Sequence, residues 1–261
     1  MTRPNPSRLR LRYSKHGKIR FTSHRDMARV WERTLRMTLV PVAYSEGFNP
    51  RPKLAFGLAL PTGFESEGEY LDIDISPDVV LAVDTDQAHH MERAGQAVTG
   101  KILDIDQVRL RIDEASPTGI SVDALVEIDR KELSLQQAIT SCTWRFRIDT
   151  DEIALRKAVA SALAADTLLL ERERKGKTMT DDIRPQIMAL DVDDDAQLFA
   201  ELGTQPRALR PAELLRAIEM PSDTARVLRT HQWINNELGG PAREPLVAGM
   251  SATVTLEMGT V

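Results

Sequence analysis

The chain has 261 residues, 42% of them hydrophobic and 28% charged, which suits one large globular domain or two of ordinary size. No apolar run approaches the roughly 20 residues that span a membrane, and the opening MTRPNPSRLRLRY lacks the apolar stretch of a signal peptide. The net charge is −5, yet residues 1–60 hold 13 Lys/Arg against 3 Asp/Glu, so an acidic protein has one basic end and implies a localised anionic partner, nucleic acid foremost.

In chain order, RLRLRY (8–13) alternates strictly and predicts a half-buried strand with Leu9, Leu11 and Tyr13 on one side. SKHGK turns the chain, and Ile19 and Phe21 resume the alternation. Ser23 reads as a helix N-cap with Asp26 three residues on, and the helix runs to about residue 38. Its apolar face is Met27, Val30, Trp31, Thr34 and Leu35. Arg25, Arg29, Arg33 and Arg36, spaced 4, 4 and 3, form the opposite stripe.

Val40–Tyr44 reads as a short strand, Ser45–Pro52 as a loop, and Lys53–Gly57 as extended chain. Pro50 and Pro52 keep that loop out of a central ladder. EYLDIDI (69–75) alternates again. Residues 84–98 predict a helix and 101–112 a strand, so the order β-α-β-β-α-β matches a split-βαβ, ferredoxin-like unit. The theme repeats: strands at 122–128 and 143–148, helices at 133–141 and 151–165, a strand at 167–172 followed by a charged loop, strands at 183–190 and 196–202, and a helix at 211–218. Signals weaken from Thr230. The expectation is an α+β fold of two tandem ferredoxin-like units with antiparallel sheets: residues 1–116, 117–230, and a C-terminal extension 231–261, with the boundary at Ser116-Pro117-Thr118-Gly119.

The segments SHRDMARVWERTLR and PVAYSEGFNPRPKLAFGLALPTGFESEGEYLDI closely resemble a bacterial family of unknown function, the radical-SAM-linked or radical-SAM-associated proteins. RERKGKTMTDDIRPQI (172–187) fits the same family pattern. The resemblance covers the chain to about residue 230. It implies a module fused to, or encoded beside, a radical SAM enzyme, with an accessory role near RNA or ribosome biology and no established activity.

Radical SAM chemistry needs three closely spaced cysteines, and Cys142 is the only one here, so the radical chemistry is expected in a partner. A lone thiol also excludes an internal disulfide and suits the cytoplasm. His16, His24, His89, His90 and His231 show no metal-ligand spacing, and no glycine pattern matches a phosphate cradle. No metal and no cofactor are therefore expected.

The loop YSEGFNPRPK is the strongest site candidate. Tyr44 and Phe48 can stack on unpaired bases, Asn49 can read a base edge, and Arg51 and Lys53 can meet phosphates. The competing reading has Phe48 plugging the core and Asn49 bonding its own backbone. Arg25, Arg29 and Arg33 extend the RNA surface, and Arg174, Lys175 and Lys177 form a second basic tip. The acidic cluster Glu65, Glu67, Glu69 and Asp72 would repel phosphate and pairs with cations of the first strand, or else meets a basic protein.

The expected function is a cytoplasmic RNA-binding accessory protein to a radical SAM partner, with tRNA or rRNA as the RNA. Two alternatives stand beside it. One is a metal-independent endoribonuclease using His24, the weak catalytic candidate, with Tyr44 or arginines. The other is a scaffold that docks the radical SAM protein through its acidic surface.

Overall fold

The computed structural model describes residues 7–82, 86, 101–174, 176–235 and 242–246. Alternation in RLRLRY builds β1 (Arg8–Lys15), with Leu9, Leu11 and Tyr13 buried on one face. A 3₁₀ turn (Gly17–Phe21) leads into α1 (His24–Met37). Ser23 caps that helix by accepting from the Asp26 N–H at 3.2 Å, while its hydroxyl donates to the Asp26 carboxylate at 2.7 Å. Met27, Trp31, Thr34 and Leu35 are its buried face.

β2 (Leu54–Phe56), β3 (Glu65–Asp74), β4 (Val79–Ala82) and β5 (Lys101–Asp104) follow, then α2 (Ile105–Ala115) and β6 (Ile120–Ile128). The second half holds α3 (Leu135–Ala138), β7 (Ser141–Arg147), α4 (Glu152–Ala164), the hairpin β8 (Leu169–Arg174) and β9 (Lys177–Asp182), β10 (Ile187–Val192), β11 (Leu198–Gly203), α5 (Pro211–Ala217) and β12 (Arg226–Trp233).

One sheet runs through both halves in the order β10-β11-β7-β12-β3-β1-β6, with β2 beside the far end of β3. Its pairings are antiparallel except β12 with β3, a short parallel contact at Leu228–Glu65 and Arg229–Ser66. The fold is therefore α+β. Within each half the strands lie in the order fourth-first-third-second: β6-β1-β3-β2, then β12-β7-β11-β10. In the first half β4–β5 interrupts this order, and in the second the β8–β9 hairpin does.

Each half has its own core. Trp31, Leu35, Val108 and Ile112 of α1 and α2 pack on Leu9, Leu11, Leu71 and Ile73. Leu155, Val159, Leu214 and Leu215 of α4 and α5 belong to one core with Trp144, Phe146, Leu198 and Ala200. No helix among the described residues is long and apolar enough to cross a membrane.

Several elements differ from the sequence expectation. Residues 101–112 are strand only to Asp104. VRLRI alternates, but Ile105, Val108 and Ile112 also recur at helical spacing, and the Asp104 side chain caps the helix by accepting from the Gln107 N–H at 3.0 Å. The strand at 120–128, expected to open the second unit, pairs instead with β1 and completes the order of the first half. Residues 183–186 turn in a 3₁₀ helix before β10, and Phe21 ends another with its ring exposed. β12 spans the expected division at residue 230. The helix expected at 84–98 lies almost wholly outside the described residues. Gly119 holds the turn before β6 at φ +94°, where a Cβ would come within 2.3 Å of the His16 carbonyl, so only glycine fits.

Candidate nucleic-acid interface

The loop after α1 is closed by its own backbone. Ser45 N–H donates to the Arg51 carbonyl at 2.8 Å, Arg51 N–H donates to Ser45 Oγ at 3.0 Å, and Tyr44 bridges Pro52. Gly47 takes φ +121° at the tip. At the loop's base, Lys53 N–H donates to the Ala43 carbonyl and Ala43 N–H to the Asp74 carbonyl, which ties the loop to the end of β3.

This frame holds Phe48 fully in solvent and Tyr44 half out. Phe48 is therefore not a core plug. Asn49 is exposed, and its side chain makes no hydrogen bond among the described residues. Arg51 reaches back to α1, where it lines a cleft of about 240 Å³ together with Arg25, Ala28, Arg29 and Glu32. Three guanidinium groups thus share one small cleft with one carboxylate. Arg29 spends part of its charge on Asp26 at 2.8 Å, while Arg25 and Arg51 have no ion pair among the described residues. Arg33 and Lys53 are exposed but do not line the cleft.

The basic end of the sequence is less basic in space. Arg8 pairs with Asp74 at 2.7 Å, Arg10 with Asp72 at 2.7 Å, Arg12 with Asp123 at 2.6 Å, and Arg20 with Glu65 at 3.4 Å. Of the acidic cluster expected to pair with the first strand, only Asp72 does so among the described residues, almost completely buried against Arg10, whereas Glu65 pairs with Arg20 and Glu69 with Arg229 of β12. Among the described residues of this end, most of the exposed cations without an ion pair lie on α1 and its following loop, with Lys18 in the turn before them.

His24, the weak catalytic candidate, is exposed at the first turn of α1 rather than core-facing. Its ring stands edge-on to Phe56 at 5.2 Å. It makes no hydrogen bond or ion pair among the described residues, and Ser23 is engaged as the cap.

The second basic tip is a β-hairpin in which Arg174 pairs with Lys177 across the turn. Lys175 and the side chains of Arg174 and Lys177 lie outside the described residues. Arg172 at its base is buried between Asp181 and Glu213, at 3.0 and 2.9 Å. No hairpin residue lines the cleft of Arg25, Arg29 and Arg51. Arg184 donates its side-chain N–H groups to the Leu163 and Ile187 carbonyls, and Asp182 accepts from its backbone N–H.

Glu32, one helical turn beyond Arg29, is the carboxylate of the cleft, beside the arginine stripe where its helical spacing places it. Among the described residues, no group of three or more His, Cys, Asp or Glu converges to hold a metal.

The chain belongs to a family of uncharacterized proteins conserved in bacteria, DUF2344, whose profile matches residues 8–95 and 92–211. No curated protein matches it.

Proposed function

We propose that this DUF2344 protein is a cytoplasmic RNA-binding accessory protein that works with a radical SAM partner in tRNA or rRNA modification or ribosome-related RNA metabolism. One observation carries the RNA reading. The closed loop brings Arg51 to Arg25 and Arg29 while holding Phe48 in solvent and Tyr44 half out. Guanidinium groups suit phosphates, and flat exposed rings suit unstacked bases. The two halves are read as tandem ferredoxin-like units. Their shared strand order, each with a helix after its first and third strands, supports that reading.

The partner clause rests on the sequence resemblance and on the cysteine count. Cys142 is buried, and burial pushes its thiol up to about 11, so it is no ready cluster ligand. Capture on the tagged protein should retain a protein with a three-cysteine radical SAM motif. Its repeated absence would remove the partner.

RNA binding is tested by fluorescence anisotropy with labelled single-stranded and stem-loop RNAs. Affinity should fall steeply with salt as phosphate contacts release counterions. Replacing Arg25, Arg29 and Arg51 together with Ala should weaken binding to all sequences. Phe48→Ala should cost on the order of 1–3 kcal/mol of binding with an unchanged melting temperature, because no packing is lost. Full affinity in both variants would remove the loop and helix from any RNA interface.

A further inference from the structure

The sheet has a second face. On the helix side of the second half, Trp144, Phe146, Leu198 and Ala200 are buried. Residues between them point the other way: at this end of the face Arg145 and Arg147 on β7 are exposed and Phe199 on β11 is half-buried, while Ser141 and Thr143 further along β7 are buried. Phe199 is directly opposite Arg145, Arg145 is opposite Leu228, and Arg147 is opposite Arg226. Directly opposed residues of an antiparallel pair share a face. One aromatic ring and three arginines therefore lie together on neighbouring strands about 4.8 Å apart.

The charges there are unspent. Arg145, Arg147 and Arg226 have no ion pair or hydrogen-bonded side chain among the described residues. Like charges placed directly opposite each other destabilise a sheet, so the Arg147–Arg226 pair is a cost that an anion would offset. Carboxylates border the patch, and Glu65 and Asp223 line one cleft with Arg226. Glu201 accepts from the Ser141 hydroxyl at 2.6 Å, and Asp191, on the far side of Phe199, accepts from the Val192 N–H at 2.8 Å. Glu65, beyond Leu228, accepts from Gly17 N–H at 2.8 Å and pairs with Arg20. The face is positive along β7 and β12 and apolar at Phe199 and Leu228.

We infer that this open sheet face binds single-stranded RNA, with one base stacked on Phe199 and successive phosphates on Arg145, Arg147 and Arg226. A duplex is a poor fit, because its bases are already stacked and unavailable to a lone ring. The inference shares its ligand class with the proposed function but uses a different surface, which extends the RNA path beyond the cleft of Arg25, Arg29 and Arg51.

The experiment uses the full chain, a fluorescein-labelled single-stranded RNA of mixed sequence, and the same RNA annealed to its complement. Phe199→Ala should weaken single-strand binding roughly 5- to 150-fold. Phe199→Tyr, which keeps the stacking ring, should restore it and guards against a folding defect. Arg145→Ala with Arg147→Ala should lower affinity and flatten the salt dependence by about two counterions. Photocrosslinking with 4-thiouridine should label peptides of β7 and β11. Wild-type affinity in both sets, with crosslinks confined to α1 and the 44–53 loop, overturns the sheet surface and leaves the loop reading standing. Loss only in the sheet variants does the reverse. Absence of any RNA binding, or crosslinks from β7 to a captured protein in place of RNA, overturns the inference.

Discussion

His231 and Phe48 show how one side chain can depart from the habit of its type. Phe48 stands fully in solvent on a loop closed beneath it, which takes it out of the core. His231 is half-buried in β12, its ring stacked on Trp233 at 4.9 Å with 14° between planes. Burial holds its pKa below the usual 6.5, against the pull of Glu244 and Glu67 and with the push of Arg12. The folded protein therefore prefers the neutral ring, while the unfolded chain takes up a proton near pH 6.5. This contribution to stability is full above pH 6.5 and is lost as pH falls through the folded-state value. Urea midpoints at pH 7.5, 6.5 and 5.5 should decline in the wild type. The decline should be shallower in His231→Phe, which keeps the stack. A wild-type midpoint that stays flat across this window would sink the assignment.

At the level of elements, β1 and β3 form a ladder of opposite charges on the face away from α1. Arg8 lies opposite Asp74 and Arg10 opposite Asp72. Arg10 is bidentate to Asp72, at 2.7 and 2.9 Å, and also donates to the Pro245 carbonyl at 2.8 Å, so the segment 242–246 covers this face. Removing one member leaves a charge buried without its partner. Asp72→Ala should cost about 3–5 kcal/mol, whereas Arg10→Met with Asp72→Leu should cost much less. Urea unfolding measures both, and equal losses would show that the pair contributes packing rather than charge compensation.

This ladder was legible in the sequence, because RLRLRY and LDIDI (71–75) carry their leucines, isoleucines and charges at fixed parity, whereas Glu69 shares the parity of Leu71 and pairs elsewhere. α1 was legible for the same reason at helical spacing. Two elements were not. Residues 105–112 satisfy both periods, and only the Asp104 cap favours the helix. β12 escaped because RVLRTHQW buries Arg229, Thr230 and Gln232, so its polar residues do not mark an outer face. In the site, residue types were readable but directions were not. The +10 of the first sixty residues is partly offset once Arg8, Arg10, Arg12 and Arg20 meet partners from β3 and β6.

The whole molecule depends on how two similar halves share one sheet. The strand contact between them is short, two residue pairs of β12 against β3. Side chains reinforce it. Arg229, almost fully buried, clasps Glu69 with three hydrogen bonds of 2.5 to 3.0 Å, donates to the Leu58 carbonyl at 2.8 Å and lies 5.4 Å from the Trp144 ring centre. Gln232 donates to the Gly68 carbonyl at 2.6 Å. Burial alone would lower the Arg229 pKa, but Glu69, together with Cys142 and Tyr13, outweighs it and keeps the guanidinium charged. The joint is therefore an ion pair withdrawn from water, and its two charges depend on each other. Arg229→Met should destabilise the protein by about 3–5 kcal/mol by stranding Glu69, and adding Glu69→Leu should recover much of that loss. The effect should also be visible in cooperativity. Trp31 reports on the first core and Trp144 on the second. In variants that retain only one of these tryptophans, the two urea midpoints should coincide when Arg229 is present and separate in Arg229→Met. Coincident midpoints in Arg229→Met would show that the backbone pairing of β12 with β3 couples the halves without the ion pair.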